Sequence, residues 1–160
     1  MARTTTTNTV SPLPLLYSLF FLWIEPFSTL VGAYYAHIRP EEYMQLTWPG
    51  SSPAVQTREA IVLTQLANLY FVFAFNEALV LRATNDRAVW RAFLLGLLVA
   101  DFGHLYSCRA AGVEVYWEFW KWNAIYWGNL GFVYVGATMR TAFLLGVGLS
   151  GSGGGKVKGR

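Results

Sequence analysis

Cysteine, charge and the common catalytic motifs are scarce in this sequence of 160 residues. Cys108 is the only cysteine, so no internal disulfide and no cluster of thiolate metal ligands can form. The sequence has no G-x-x-x-x-G-K-S/T loop, no H-E-x-x-H and no N-x-S/T sequon, which removes the commonest phosphate-binding, zinc-protease and glycosylation interpretations. We therefore expect neither a metal site nor a cofactor.

Charged residues make up only 13% of the chain, against about 25% in soluble proteins, while hydrophobic residues make up 54%. A soluble domain of this length could not bury so much apolar surface. The formal net charge of +3 is small and scattered, so we expect no nucleic-acid partner. The composition indicates an integral membrane protein whose partner is the lipid bilayer.

Four apolar runs are long enough to cross a bilayer, because a helix needs about 20 mostly apolar residues to span a ~30 Å hydrocarbon core. Trp and Tyr residues flank these runs, as interfacial anchors do. We predict an all-α fold, an integral membrane four-helix transmembrane bundle at residues 13–148. Its spans lie at about 13–36, 59–82, 88–107 and 119–146.

The first span and the segment after it contain prolines that interrupt regular helix. Pro26 has no backbone N–H, so it should kink the first span beside Glu25. Residues 37–57 are predicted to be a loop, which we expect to face the lumen. Its turn residues rule out a continuous helix: Pro40, Pro49, Gly50 and Pro53.

The basic residues indicate the orientation of the bundle. Eight of the twelve Lys and Arg residues fall on one side if the turn between Arg82 and Arg87 is cytosolic. Both termini are then cytosolic, with flexible tails at 1–12 and 149–160. Arg140 lies in the cytosolic half of the fourth span, where we expect it to snorkel to the headgroups.

The basic tail also suggests a compartment. Lys156 and Lys158 match the K-x-K-x-x signal that returns membrane proteins to the endoplasmic reticulum. Two lysines in a basic tail also occur by chance or merely attract anionic lipid. We expect a protein of the endoplasmic reticulum, with both interpretations of the tail open.

Ionisable residues inside the spans are the candidates for catalysis, since charge at membrane depth is costly. With each span centred on the bilayer, Glu25 falls near the midplane and Asp101 about 5 Å toward the lumen, at ~1.5 Å per residue. Asp101 and His104 are one helical turn apart, so we expect them to interact directly. A carboxylate beside an imidazole in an apolar bundle is a candidate general acid and base pair.

Further polar residues are candidates for substrate binding, but each has a purely structural alternative. Asn129 lies about 3 Å toward the lumen and Glu77 about 10 Å toward the cytosol, at ~1.5 Å of rise per residue. Tyr126 should add a donor to the same pocket. Asparagines in bundles often serve only as interhelical hydrogen bonds, and Glu77 could simply pair with Arg82 or headgroup water. The stripe of tryptophans that includes Trp127 is more typical of an interfacial belt than of a ligand cage.

Small residues predict where the helices approach one another most closely. Small side chains four residues apart let helix backbones come together in a membrane. Such residues recur on three of the four spans: Gly32 and Ala36; Gly96, Ala100 and Gly103; Ala124 and Gly128. We expect a compact bundle, and the sequence leaves a homodimer open.

The four-span layout carries a resemblance to a known group. The runs LWIEPF, FNEALVLR, ADFGHLY and YWGNLGFVY resemble a fungal family of four-helix membrane proteins. That family in turn resembles the EXPERA group, which includes emopamil-binding sterol isomerases and sigma-2-type receptors. The resemblance covers roughly residues 13–148. It implies a bundle of the endoplasmic reticulum with a cavity for sterol-like or amine ligands. The isomerases pair a His with an acid on the second span, whereas this chain has Glu77 there and its His on the third.

Two classes of function follow from these expectations. The first is an isomerase or cyclase that protonates a double bond of a sterol- or terpenoid-like substrate. Asp101 or Glu25 would be the acid, His104 the base, and faces of Trp or Tyr would stabilise the carbocation. The second is a non-catalytic membrane protein that binds a hydrophobic ligand, or acts as a chaperone or scaffold, through the same cavity.

Overall fold

The computed structural model describes residues 13–50 and 54–149, and all regular structure within them is helical. Five helices follow one another: α1 (Leu15–Ile38), α2 (Pro40–Thr47), α3 (Thr57–Ala83), α4 (Arg87–Cys108) and α5 (124–144). Short 3₁₀ turns at Arg109–Ala111, Val113–Tyr116 and Phe119–Lys121 connect α4 to α5. The all-α prediction is confirmed.

Three helices are long and apolar enough to cross a membrane by length and composition: α1, α3 and α4, with the last extended to Ala111. The fourth predicted span corresponds to α5, which begins at Ala124 rather than at 119, after the 3₁₀ turns. It is shorter than the span predicted at 119–146 and includes the ionisable Arg140. A fourth crossing therefore stays a prediction.

Helix α1 passes Pro26 without breaking. A π-helical segment at Phe20–Ile24 comes immediately before it. Proline cannot give a hydrogen bond to the carbonyl four residues back, which here is that of Leu22. The Nη2 atom of Arg82 donates to this oxygen instead. The helix thus accommodates Pro26 with a π-helical segment before it and a freed carbonyl that a neighbouring helix satisfies, while the kink stays a prediction.

Helices α3 and α4 are joined by the tight turn that the sequence predicts. Asp86 is the N-cap of α4 and accepts a hydrogen bond from the backbone N–H of Ala88 at 2.8 Å. The Thr84 hydroxyl accepts from the N–H of Asp86, and the Thr84 carbonyl accepts from the indole of Trp90. Arg82 belongs to this end of α3 and stacks on the ring of Trp23 at 4.7 Å.

The helices pack as two antiparallel pairs. Leu22 on α1 contacts Arg82 on α3, and Gly32 on α1 lies against Tyr70 on α3. Residue numbers therefore rise along α1 as they fall along α3, so the two helices are antiparallel. Helices α4 and α5 run antiparallel in the same way, with Trp90 against Phe143 at one end. The two pairs meet at a cluster of buried side chains, here called the aromatic cluster: Tyr17, Phe20, Phe21, Leu81, Trp90, Leu94 and Phe143.

Helix α2 lies where the sequence predicts only a loop. Two side chains near the start of α5 hold it: Asn123 donates to the Leu46 carbonyl at 2.7 Å, and Tyr126 donates to the Thr47 carbonyl at 2.9 Å. Tyr43 on α2 is buried, with its hydroxyl 3.5 Å from that of Tyr70. Pro40 follows the end of α1 and begins α2, and Pro49 comes just after α2. The two prolines therefore do not prevent a helix between them.

The glycine prediction holds at one position and is wrong at three. A Cβ on Gly32 would touch the Tyr70 ring at 3.4 Å, so this glycine does lie at a helix contact. A Cβ on Gly96, Gly103 or Gly128 would meet nothing within 4 Å, so no helix approaches them closely. The tails at 1–12 and 150–160, with Lys156 and Lys158, lie outside the described residues.

Candidate functional site

A cavity of about 490 Å³ lies between the two helix pairs, next to the aromatic cluster. Every helix contributes to its wall. Its apolar lining includes Phe73, Leu97 and Val133, and the short helix α2 closes it with Leu46. All the ionisable residues predicted for the site line this cavity: Glu25, Glu77, Asp101 and His104.

The centre of the site is Arg140, which the sequence analysis expected at the headgroups. The side chain is instead buried, with only 3% of the residue exposed. Its Nη1 atom donates to Asp101 Oδ2 at 2.5 Å, and its Nη2 atom donates to Glu25 Oε1. One guanidinium thus links α1, α4 and α5. Its planar fork of donors suits this bridging role better than a lysine ammonium would.

The local sequence makes room for this guanidinium. Gly136 lies one turn before Arg140 on α5, and a Cβ there would stand 2.6 Å from Arg140 Nη1. The same Cβ would be 3.6 Å from Glu25 Oε1. The absence of a side chain at Gly136 therefore lets Arg140 fold back along its own helix toward the two carboxylates.

Glu77 completes a cluster of three carboxyl groups around one arginine. Only 2% of Glu77 is exposed, and its carboxyl lies beside that of Glu25, within reach of a side-chain hydrogen bond. Glu77 Oε1 and Glu25 Oε2 have no hydrogen-bond partner among the described residues. The alternative in which Glu77 pairs with Arg82 is not observed, since Arg82 bonds the carbonyls of Ala78 and Leu22.

His104 occupies a separate part of the cavity wall. The ring lies beside the backbone of Asn129 on α5, while Nε2 has no hydrogen-bond partner in the described part of the chain. In a neutral ring with the proton on Nδ1, Nε2 is an open acceptor. The predicted pairing of His104 with Asp101 is not observed, because Asp101 bonds Arg140.

Two residues predicted to bind substrate have other roles. Tyr126 does not line the cavity, since its hydroxyl donates to the Thr47 carbonyl and ties α2 to α5. Trp127 is 53% exposed and packs edge-on against Trp122 at 5.1 Å. The exposure of Trp127 agrees with the interfacial alternative. Asn129 does line the cavity, where its backbone lies beside the ring of His104.

Arg140 is the site residue that sequence reasoning misjudged most. A signal was present, because an arginine within an apolar run requires a buried anion if it does not reach the headgroups. The run also contains Gly136 one turn earlier. Spans one, two and three each carry one acid at membrane depth, so the sequence held partners for this arginine.

The arrangement can stabilise charge and transfer protons. Three carboxyl groups and a single guanidinium cannot all be ionised without burying an excess of negative charge, which is costly in a medium of low dielectric constant. Within the described residues no group of three or more His, Cys, Asp or Glu is arranged to hold a metal ion. The groups on hand are therefore carboxyls, an imidazole and a guanidinium, all facing a largely apolar cavity.

These features define a class: an all-helical protein with three membrane-length helices and a cluster of buried charges beside an apolar cavity. Residues 10–150 match the family described as Domain of unknown function (DUF7704), and the chain belongs to that family. No curated protein matches the chain, and no solved structure does.

Proposed function

We propose that this protein is a membrane-embedded isomerase or cyclase for a sterol- or terpenoid-like substrate, acting by protonation and deprotonation of carbon. The proposal rests on the composition of the cavity, whose largely apolar walls surround three carboxyl groups and a single arginine that bonds two of them. Apolar walls favour a hydrophobic substrate, and an uncompensated carboxyl favours a stored proton.

Glu77 is the proposed proton donor. Asp101 and Glu25 each accept a hydrogen bond from Arg140, whereas among the described residues Glu77 accepts none from that guanidinium and keeps one oxygen without a partner. This revises the expectation that Asp101 or Glu25 is the acid. The two arginine-bound carboxylates instead supply fixed negative charge close to the carbocation that forms.

The reaction balances without an oxidant or cofactor. The carboxyl O–H of Glu77 breaks and a C–H bond forms on one alkene carbon, which leaves a carbocation on its neighbour. His104 Nε2 then removes a proton from the next carbon, and the electrons of that C–H bond form the new double bond. His104 then releases its proton to water and Glu77 takes up another from water, which restores the site. In a cyclase, a second double bond attacks the cation before the proton is lost.

The sequence resemblance supports the same proposal. The EXPERA isomerases to which the chain is similar are expected to use acids in a membrane bundle for this chemistry, and they reside in the endoplasmic reticulum. We include that compartment in the proposal. We also propose four crossings with both termini cytosolic, since α5 is antiparallel to α4 and bonds both α4 and α1 through Arg140.

The experiment starts from the lipid that purifies with the protein. That lipid is extracted, identified by mass spectrometry and incubated with purified protein in deuterated buffer. We expect a product isomer that carries one deuterium on carbon, because Glu77 exchanges with solvent between turnovers. Glu77→Gln should lose this incorporation by at least about a hundredfold, the usual worth of a general acid. Recovery of the lipid unchanged and without deuterium would reject the enzyme.

The matched control is Asn76→Ala. Asn76 neighbours Glu77 on α3 but is exposed on the outer face of the helix. This variant should keep full deuterium incorporation and bound lipid. A Glu77→Gln protein that retains the lipid while losing incorporation separates loss of chemistry from loss of binding.

A non-catalytic ligand-binding protein is the second candidate. It is favoured by the ion pairs of Arg140, which hold α1, α4 and α5 together without any substrate. Under this alternative the co-purified lipid stays unchanged in deuterated buffer. Glu77→Gln would then alter only the amount of lipid bound.

The proposed topology has its own test. A cysteine placed at Thr84 in a Cys108→Ser background lies at the turn between α3 and α4. In sealed microsomes, which expose the cytosolic side, a membrane-impermeant maleimide should label it without detergent. A cysteine in place of Glu114, beyond α4, should react only after permeabilisation. The reverse pattern would overturn the orientation.

A further inference from the structure

A groove on the outside of the bundle runs along α1 and reaches α5. Its walls are almost entirely apolar and are formed by Trp23, Ile24, Phe27, Ser28, Val31 and Phe132. Phe27 and Trp23 are 70% and 65% exposed. Because α1 is long and apolar enough to cross a membrane, these side chains face lipid chains rather than water.

The groove and the internal cavity adjoin one another. Ser28, Val31 and Phe132 line both, so these three side chains lie between the groove and the cavity. They form what is here called the threshold. Ser28 is one turn from Glu25 on α1, which places the threshold close to the carboxylates.

The helix packing explains why the opening lies at this place. Helices α1 and α5 meet in the aromatic cluster, where Tyr17 packs on Phe143. They meet again where Phe20 stacks on Phe132 at 5.9 Å and at the bridge from Glu25 to Arg140. After Glu25, α1 packs along α3, whereas α5 packs along α4. The part of α1 that follows Glu25 therefore leaves α5 beside the cavity.

We propose that the threshold is the lateral entrance of the cavity, and that the groove binds the hydrocarbon tail of a membrane lipid whose polycyclic or isoprenoid end lies against the carboxyl cluster. This inference deepens the proposed function and rests on it for the identity of the reactive end. It names an elongated, weakly polar lipid that arrives from the bilayer. A water-soluble substrate would not need an apolar groove that opens toward lipid.

The test uses a diazirine-bearing cholesterol analogue as the probe, in vesicles of unlabelled phosphatidylcholine. After illumination, peptide mass spectrometry measures adducts on Glu77 inside the cavity and on the groove residues. We expect adducts at both places. A diazirine placed on the acyl chain of phosphatidylcholine distinguishes the other source of hydrocarbon, and it should label the groove residues without reaching Glu77.

Substitutions at Val31 should change the cavity adducts in opposite directions. Val31→Phe narrows the threshold and should lower labelling of Glu77 about tenfold, equivalent to about 1.4 kcal/mol. Val31→Ala widens it and should raise the labelling. Leu30→Phe is the matched control, because Leu30 is exposed on the same helix and lines neither the groove nor the cavity. It should leave the labelling unchanged.

The outcomes separate the entrance from the proposed chemistry. Equal labelling of Glu77 in Val31→Phe and Leu30→Phe would overturn the entrance, even if the lipid is turned over. Adducts on Glu77 from the phosphatidylcholine probe alone would also overturn it. Val31-dependent labelling by the cholesterol analogue supports the entrance, and it does so whether or not deuterium appears in a product. If Val31→Phe fails to fold, an unchanged result for Val31→Ala contradicts the inference.

Discussion

The two halves of the helix bundle are built in opposite ways from the same helices. In the aromatic cluster Leu94 and Phe143 are fully buried, and Trp90 stacks on Phe143 at 5.7 Å. A turn or two along the same helices, Asp101 and Arg140 border a cavity of about 490 Å³. One half is closely packed and apolar, and the other is open and charged.

This difference between the two halves explains how the bundle stays folded around an unfilled cavity. Contacts in the aromatic cluster hold the helix ends, so the other half does not have to close around its own side chains. The ion pairs of Arg140 lie at the boundary, where they connect three helices across the gap. Stability should therefore depend on packing in one half and on charge balance in the other.

Removal of the Arg140 guanidinium is expected to cause the largest loss of stability. Arg140→Met leaves the Asp101 and Glu25 carboxylates buried without a counterion, which should lower stability by about 3–5 kcal/mol. Thermal unfolding in a mild detergent measures the loss. Arg91→Met, at an exposed position of α4, should change little.

A compensated variant sharpens the same test. Adding Glu25→Gln and Asp101→Asn to Arg140→Met removes the uncompensated charge and should recover a substantial share of the lost stability. No recovery would mean that Arg140 acts through packing and not through charge.

Leucine truncation should distinguish the two halves on one helix. Leu94→Ala opens a void in the aromatic cluster and should cost about 2–5 kcal/mol. Leu97→Ala should cost less than half as much, because Leu97 already borders the cavity. Melting temperatures of the two variants in the same detergent measure the two losses of stability. Equal losses would contradict the division of the bundle into a packed half and an open half.

Glycine substitutions test whether the absence of a side chain at Gly136 makes room for the Arg140 guanidinium. Gly136→Ala places a methyl group 2.6 Å from Arg140 Nη1 and should cost about 1–3 kcal/mol. Gly96→Ala meets nothing within 4 Å and should be neutral, or up to about 1 kcal/mol stabilising. Parallel melts of the two variants check this, and equal stability would show that the guanidinium can move aside without loss.

The smallest expected effect concerns the π-bulge that precedes Glu25. Arg82→Met removes the donor to the Leu22 carbonyl and should cost about 1 kcal/mol. In a Pro26→Ala background the helix regains its own N–H for that carbonyl, so the same change should cost less, with the stack on Trp23 still lost. A double-mutant cycle measures this coupling, and additive losses would argue against it.

Local patterns predicted the long helices well. The runs that became α1, α3 and α4 are apolar over a membrane length, and the all-helical fold follows from them. Asp86 and Thr84 were placed in a turn because a polar connection separated two such runs. Helix α2 was missed because its prolines mark both ends of a short helix as readily as they mark a loop.

The acids and the histidine of the candidate site were predicted, but Arg140 and the pairing of these groups were not. Glu25, Glu77, Asp101 and His104 were all singled out, and all four line the cavity. The assumption that each span is centred on the bilayer separated Glu77 from Glu25. The relative shift of α1 and α3 brings the two carboxyls side by side.

The helical fold, the apolar composition and the acids at membrane depth could be predicted from the sequence, because length, hydropathy and the cost of intramembrane charge are properties of single segments. The inward direction of Arg140, its bonds to Asp101 and Glu25, and the position of His104 beside Asn129 depend on how the helices pack. An arginine can reach either the headgroups or a buried carboxylate, and the choice depends on whether other helices bring the carboxylates within its reach.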